Sequence, residues 1–142
     1  MITNEPIWIS EHLALAIHER QLAEHGGGTG IRDKGMFESA MARPRQLFAY
    51  GGPDTAIPDL AAAYAFGLAR NHPFVDGNKR TAYVVCRTFL ILNGWDIVGS
   101  PEDRYAAFLS MSAGEMDSDA FTDWLRNHTR PQQVSETGGS YA

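Results

Sequence analysis

The chain has a single cysteine, Cys86. No internal disulfide can form, and a lone thiol within an apolar run reads as buried and inert. This cysteine economy fits a reducing compartment, so a cytosolic protein is expected. No stretch reaches the roughly 18 apolar residues that a spanning helix needs. The opening, MITNEPIWIS, lacks a basic segment followed by an apolar one, so no signal peptide is expected. Positive charge is scarce as well: 12 Lys and Arg face 17 Asp and Glu, for a formal net charge of -5. That balance argues against nucleic acid or an anionic membrane as partner. No internal repeat or heptad array is present.

What is there suffices for one ordinary domain. The 142 residues are 44% hydrophobic and 20% charged, enough for a single real core. The domain is expected over residues 1–130, with a disordered tail over 131–142, where the sequence turns polar and rich in Gly and Ser.

Ser10 is a good N-cap and Glu11 suits a first turn, which predicts a helix to His25 with Leu13, Ile17 and neighbouring alanines supplying its apolar surface. Gly26-Gly27-Gly28-Thr29-Gly30 stops it. A glycine run can also cradle phosphate, but no G-K-[ST] follows here. Asp33 can cap a second helix, Lys34 to about Ala42. Pro44 is expected to break or kink the chain, with one further helical turn over Gln46–Tyr50. Residues 43–57 then form either a mobile flap or a plain surface connection.

Pro58 suits the first turn of a helix that is apolar nearly all round, hence buried, and that ends at Asn71-His72-Pro73. A second buried helix runs from about Asn78 to Asn93. Its Val84-Val85 pair hints at a strand, but the unbroken run to Asn93-Gly94 argues for helix. Trp95–Val98 can be extended, Pro101 opens a helix to about Ala113, and Asp117 or Ser118 caps a last one to about His128. The expected class is all-α: about six helices around a central hairpin, residues 58–71 and 78–93.

The loop of that hairpin, His72-Pro73-Phe74-Val75-Asp76-Gly77-Asn78-Lys79-Arg80, holds the chemistry. A helix N-terminus offers unpaired N–H groups and the positive end of the dipole. Gly77 lets a ligand approach the backbone, and Asn78 can fix the turn or donate to a phosphate oxygen. Lys79 and Arg80 add a point charge and a bidentate fork. Two adjacent cations oppose the dipole at that end, and a bound anion removes the conflict. Asp76 beside a phosphate site makes sense if Mg²⁺ lies between them, or it is simply an N-cap. His72 is the natural base for a hydroxyl nucleophile, or a structural helix-end histidine. Arg70, one turn back, can reach the same ligand or complement the helix C-terminus. Phe74 should point into the core and anchor the loop.

This motif, continued by Thr81-Ala82, resembles the signature of the Doc ("death on curing") toxins of the Fic superfamily. Gly30-Ile31-Arg32-Asp33, Glu38-Ser39-Ala40 with Arg43-Pro44, and Leu92-Asn93-Gly94-Trp95 resemble the family too, so residues 5–130 are covered. The resemblance implies the all-α Fic fold and the toxin half of a toxin–antitoxin pair. It implies a kinase that moves the γ-phosphate of ATP onto a threonine of elongation factor Tu, and a Phd-like antitoxin partner. By position, His72 would be the base and Asp76 the Mg²⁺ ligand. Gly77, Asn78, Lys79 and Arg80 would hold the phosphates, with Arg70 assisting.

General Fic enzymes have H-P-F-x-x-G-N-G-R with a second Arg three residues on, and transfer AMP. Here Lys79 replaces the second glycine and Tyr83 stands where the second Arg would be. A lysine side chain would intrude on phosphates laid against bare backbone, which implies a reversed nucleotide presenting its γ-phosphate. The competing readings are AMP transfer and a non-catalytic helical binding module.

Overall fold

Side-chain caps set where four of the helices begin. The computed structural model describes residue 2 and residues 4–132. Its elements run α1 (Glu11–His25), α2 (Lys34–Tyr50), α3 (Ile57–Asn71), α4 (Asn78–Leu92), β1 (Trp95–Ile97), α5 (Pro101–Ser112), α6 (Ser118–Asn127) and β2 (Thr129–Pro131). Ser10, Asp33, Ser100 and Asp117 accept the N–H groups of Leu13, Met36, Asp103 and Ala120. Each cap satisfies a donor that no helical carbonyl can reach. The all-α class holds, with β1 and β2 adding one small antiparallel ladder that pairs Trp95 with Pro131 and Ile97 with Thr129.

Helix α3 is the axis of the bundle. Eleven of its 15 residues are buried, and it packs on α2, α4, α5 and α6. Small residues allow the closest crossing: a Cβ added at Gly67 would lie 3.2 Å from Ala40 Cα on α2. Tyr64 is fully buried and ties in the N-terminal lead, since its hydroxyl accepts the Ile9 N–H at 3.0 Å. At the far end of α4, the Asn93 amide brackets Ile7, accepting its N–H at 2.8 Å and donating to its carbonyl at 2.9 Å.

Three expectations change. Pro44 does not break the chain; it lies inside α2, which runs unbroken to Tyr50. An interior proline costs on the order of 3 kcal/mol. Here the ring is buried, and the flanking Arg43 and Arg45 stack on Phe66 and Trp8. Those contacts hold the segment against α3 and the N-terminal lead and offset the lost bond. The 43–57 segment accordingly shrinks to residues 51–56, between α2 and α3. The apolar surface expected on α1 is present, with Ala14 buried and Leu13 and Ile17 partly buried against the core, and His18 is buried beside them. Finally, Pro131 belongs to β2, and Gln132 donates to the Gly94 carbonyl at 2.7 Å. The remainder of the expected tail, residues 133–142, lies outside the described residues.

Candidate active site

Two left-handed residues shape the loop between α3 and α4. His72 has φ 50° and ψ 54°, and Gly77 has φ 79°. His72 is the one non-glycine residue with positive φ among the described residues. For a residue with a Cβ this costs about 1–2 kcal/mol. Pro73 contributes by pushing the preceding residue out of the helical region. Arg32 holds the turn, its guanidinium donating to the His72 carbonyl at 2.7 Å and the Asn71 carbonyl at 3.0 Å.

Phe74 anchors the loop as expected. It is 1% exposed, stacked on His18 at 3.7 Å and tilted against Phe37 at 5.5 Å. Asn78 closes the loop over it, accepting the Phe74 N–H at 2.9 Å and donating to the Phe74 carbonyl at 3.0 Å. Those two bonds orient the amide, so Nδ2 is also the donor toward His72 Nδ1 at 3.3 Å. Of the two uses foreseen for Asn78, its side chain takes the turn-fixing one and is buried. In this arrangement His72 Nδ1 already accepts a hydrogen bond from Asn78.

The glycine run lies against the motif loop. Gly26 terminates α1, its N–H donating to the Leu22 carbonyl at 2.7 Å. The following residues form an isolated antiparallel bridge, Ile31 with Phe74. Arg32 N–H donates to the Pro73 carbonyl at 2.7 Å and Val75 N–H to the Gly30 carbonyl at 3.1 Å. A Cβ at Gly28 would lie 2.9 Å from Val75 Cγ1, and one at Gly27 would lie 3.1 Å from Asp76 Cβ. At Gly27 the backbone φ of 126° favours glycine, and at Gly28 a Cβ would have to displace the Val75 side chain. The Gly28 N–H donates to Asp76 Oδ2 at 2.9 Å. Asp76 is not the N-cap; Gly77 occupies that position, and no side chain among the described residues caps α4.

His72, Asp76, Lys79 and Arg80 are all exposed around this uncapped helix end. Neither Lys79 nor Arg80 has an ion-pair partner among the described residues. Arg70 is exposed on the last turn of α3, where its guanidinium stacks on Phe66 at 5.2 Å and lies beside Gly114. Tyr83 packs edge-on against Phe108 at 5.0 Å and so braces α4 on α5.

The fold is an all-α bundle whose two central helices present one polar loop. The chain belongs to the Doc family of the Fic/Doc superfamily. The Fic/DOC family model matches residues 8–90. A relative named protein kinase doc, from Escherichia phage P1, is 34% identical over 120 residues, covering 83% of this chain and 92% of that protein. Toxin Doc of Mycolicibacterium smegmatis is 50% identical over 72 residues, covering 49% of this chain and 53% of that protein. Among the described residues no helix is long and apolar enough to cross a membrane.

Sequence reasoning missed His18, Arg32 as a clamp, and the Gly28 contact. His18 lay in view one helical turn after Ala14, on the buried side of α1. A histidine aligned with small apolar residues at that spacing marks a core-facing polar group that needs a partner.

Proposed function

We propose that this protein is a toxin of a toxin–antitoxin pair and a protein kinase. It moves the γ-phosphate of ATP to a threonine hydroxyl of elongation factor Tu and so arrests translation. The observation that carries this reading is the uncapped N-terminus of α4, with Lys79 and Arg80 in its first turn and His72 and Asp76 on the loop before it. Supporting it, the phage P1 relative bears the name protein kinase doc, and the M. smegmatis relative that of a toxin. The toxin reading brings with it a Phd-like antitoxin as partner.

In this mechanism the backbone N–H groups of Asn78, Lys79 and Arg80 cradle phosphate oxygens at the helix end. Lys79 and Arg80 neutralise the charge, and Arg70 assists from α3. His72 orients the target hydroxyl and takes its proton. The hydroxyl oxygen bonds to the γ-phosphorus, the bond to the β–γ bridging oxygen breaks, and ADP leaves. Positioning and charge neutralisation do most of the work in such transfers.

Among the described residues no group of three or more His, Cys, Asp and Glu side chains could hold a metal alone. Asp76 suits a different arrangement: Oδ2 takes the Gly28 N–H, leaving Oδ1 for a cation. Mg²⁺ is commonly held by one or two carboxylates completed by phosphates and water. Bound there, it would neutralise charge on the β- and γ-phosphates.

The test is incubation with Mg²⁺, a cell extract and ATP labelled at either the α- or the γ-position, for the native chain and His72→Ala. The expected result is γ-label on elongation factor Tu with the native chain and none with the variant. Label from the α-position would establish AMP transfer instead. No label from either position would leave a helical binding module.

A further inference from the structure

His18 is a buried titratable side chain to which the mechanism above gives no part. It is 3% exposed and lies on α1, far in sequence from the motif loop. Its ring stacks on Phe74 at 3.7 Å with an interplanar angle of 10°. Its Nε2 lies 2.8 Å from the Asp76 carbonyl oxygen. A carbonyl only accepts, so Nε2 carries a proton and donates. A Cβ placed on Gly77 would come within 3.6 Å of the His18 ring, so the imidazole also bounds the left-handed turn that opens α4.

We propose that His18 is the positioning residue for Asp76. The Asp76 residue is gripped at both ends: its carbonyl by His18 from α1, and its carboxylate by the Gly28 N–H from the loop that follows α1. The two donors flank a residue that is itself exposed, on a loop whose next residue is glycine. Without the His18 bond, the peptide between Asp76 and Gly77 is free to rotate, and the carboxylate loses its fixed place before α4. Phe74 stacking fills space, and any flat or apolar side chain can replace part of that. Only a donor at the Nε2 position can hold the carbonyl. The inference rests on the reading of Asp76 as a carboxylate that faces Mg²⁺–nucleotide.

Glutamine and asparagine separate the two roles. The amide nitrogen of Gln reaches the place of Nε2, whereas that of Asn reaches only the place of Nδ1. The experiment compares the full-length native chain with His18→Gln, His18→Asn and His18→Leu. Thermal melting reports the fold, NMR amide exchange reports the Gly28 N–H, and calorimetry with ATP reports affinity with and without Mg²⁺. Gln is expected to keep Gly28 protection and native affinity. Asn and Leu should lose that protection and bind Mg²⁺–ATP about tenfold more weakly, as outer-shell partners of metal ligands do. Their affinity for ATP without Mg²⁺ should stay native. Should Leu fail to fold, the contrast between Gln and Asn still decides. Native protection and native affinity in a folded Asn or Leu variant would overturn the inference, as would a Gln variant no better than Asn. If the native chain itself shows no Mg²⁺-dependent ATP binding, the kinase reading fails, and Gly28 exchange across the variants still tests the role of His18.

Discussion

Removing the Arg126 guanidinium should destabilise the fold by an amount the structure sets. Asp59 sits in the first turn of α3 with a side chain 7% exposed, while that of Arg126 is 46% exposed. Nε and Nη2 of Arg126 donate to the two oxygens of Asp59, and Ala56 N–H adds a third bond at 2.9 Å. This fork ties α6 to the start of the central helix. Breaking a fully buried pair costs about 3–5 kcal/mol, because the remaining charge is stranded. Here water reaches the arginine side, and the carboxylate keeps both the Ala56 N–H and the positive end of the α3 dipole. About 2 kcal/mol is therefore expected for Arg126→Ala, within the range for a charged group that loses one partner. For a chain of this size that is about 6–8 °C in Tm. Thermal unfolding by circular dichroism measures it, and Asp59→Asn with the double variant closes the cycle. Once Asp59 is neutral, losing Arg126 should cost little. A variant melting within about 1 °C of native, or strictly additive losses across the cycle, would refute the reasoning, since neighbouring sites in one network should couple.

Three other expectations can be checked by similar means. Thr81 Oγ1 is buried with no hydrogen-bond partner among the described residues, so Thr81→Val should raise stability by about 1 kcal/mol in urea titrations, unfilled hydroxyls being costly; a loss would mean that the hydroxyl has a partner in solution. For Asp96, burial pushes the carboxyl up, but the bidentate Arg87 fork and the Ile97 N–H outweigh it and hold the group below the usual carboxylate range. A depressed folded value makes the stabilisation complete above the unfolded value of about 3.9 and lost as pH falls through the folded one. Tm should then fall more steeply for the native chain than for Asp96→Asn below about pH 4, with parallel curves counting against the pair. Burial pushes the Cys86 thiol up, so it should react with a disulfide reagent only on unfolding; prompt labelling of native protein would contradict its burial.

What the sequence determined by itself was local. Ser10, Asp33 and Asp117 cap helices because a cap joins residues three apart. The motif loop was legible because its titratable and cationic groups lie within one short segment, between two helices whose apolar patterning marks them as buried. The tertiary structure decided how those groups are held. His18 reaches Asp76 across 58 residues, Gly28 across 48, and Arg32 reaches the His72 carbonyl across 40. Such pairings depend on how α1 and its glycine loop lie against the hairpin, and no spacing rule encodes that. Pro44 makes the same point for the backbone. Its local tendency is to end a helix, and burial against the core overrules it, because packing free energy is summed over neighbours that a local reading never sees.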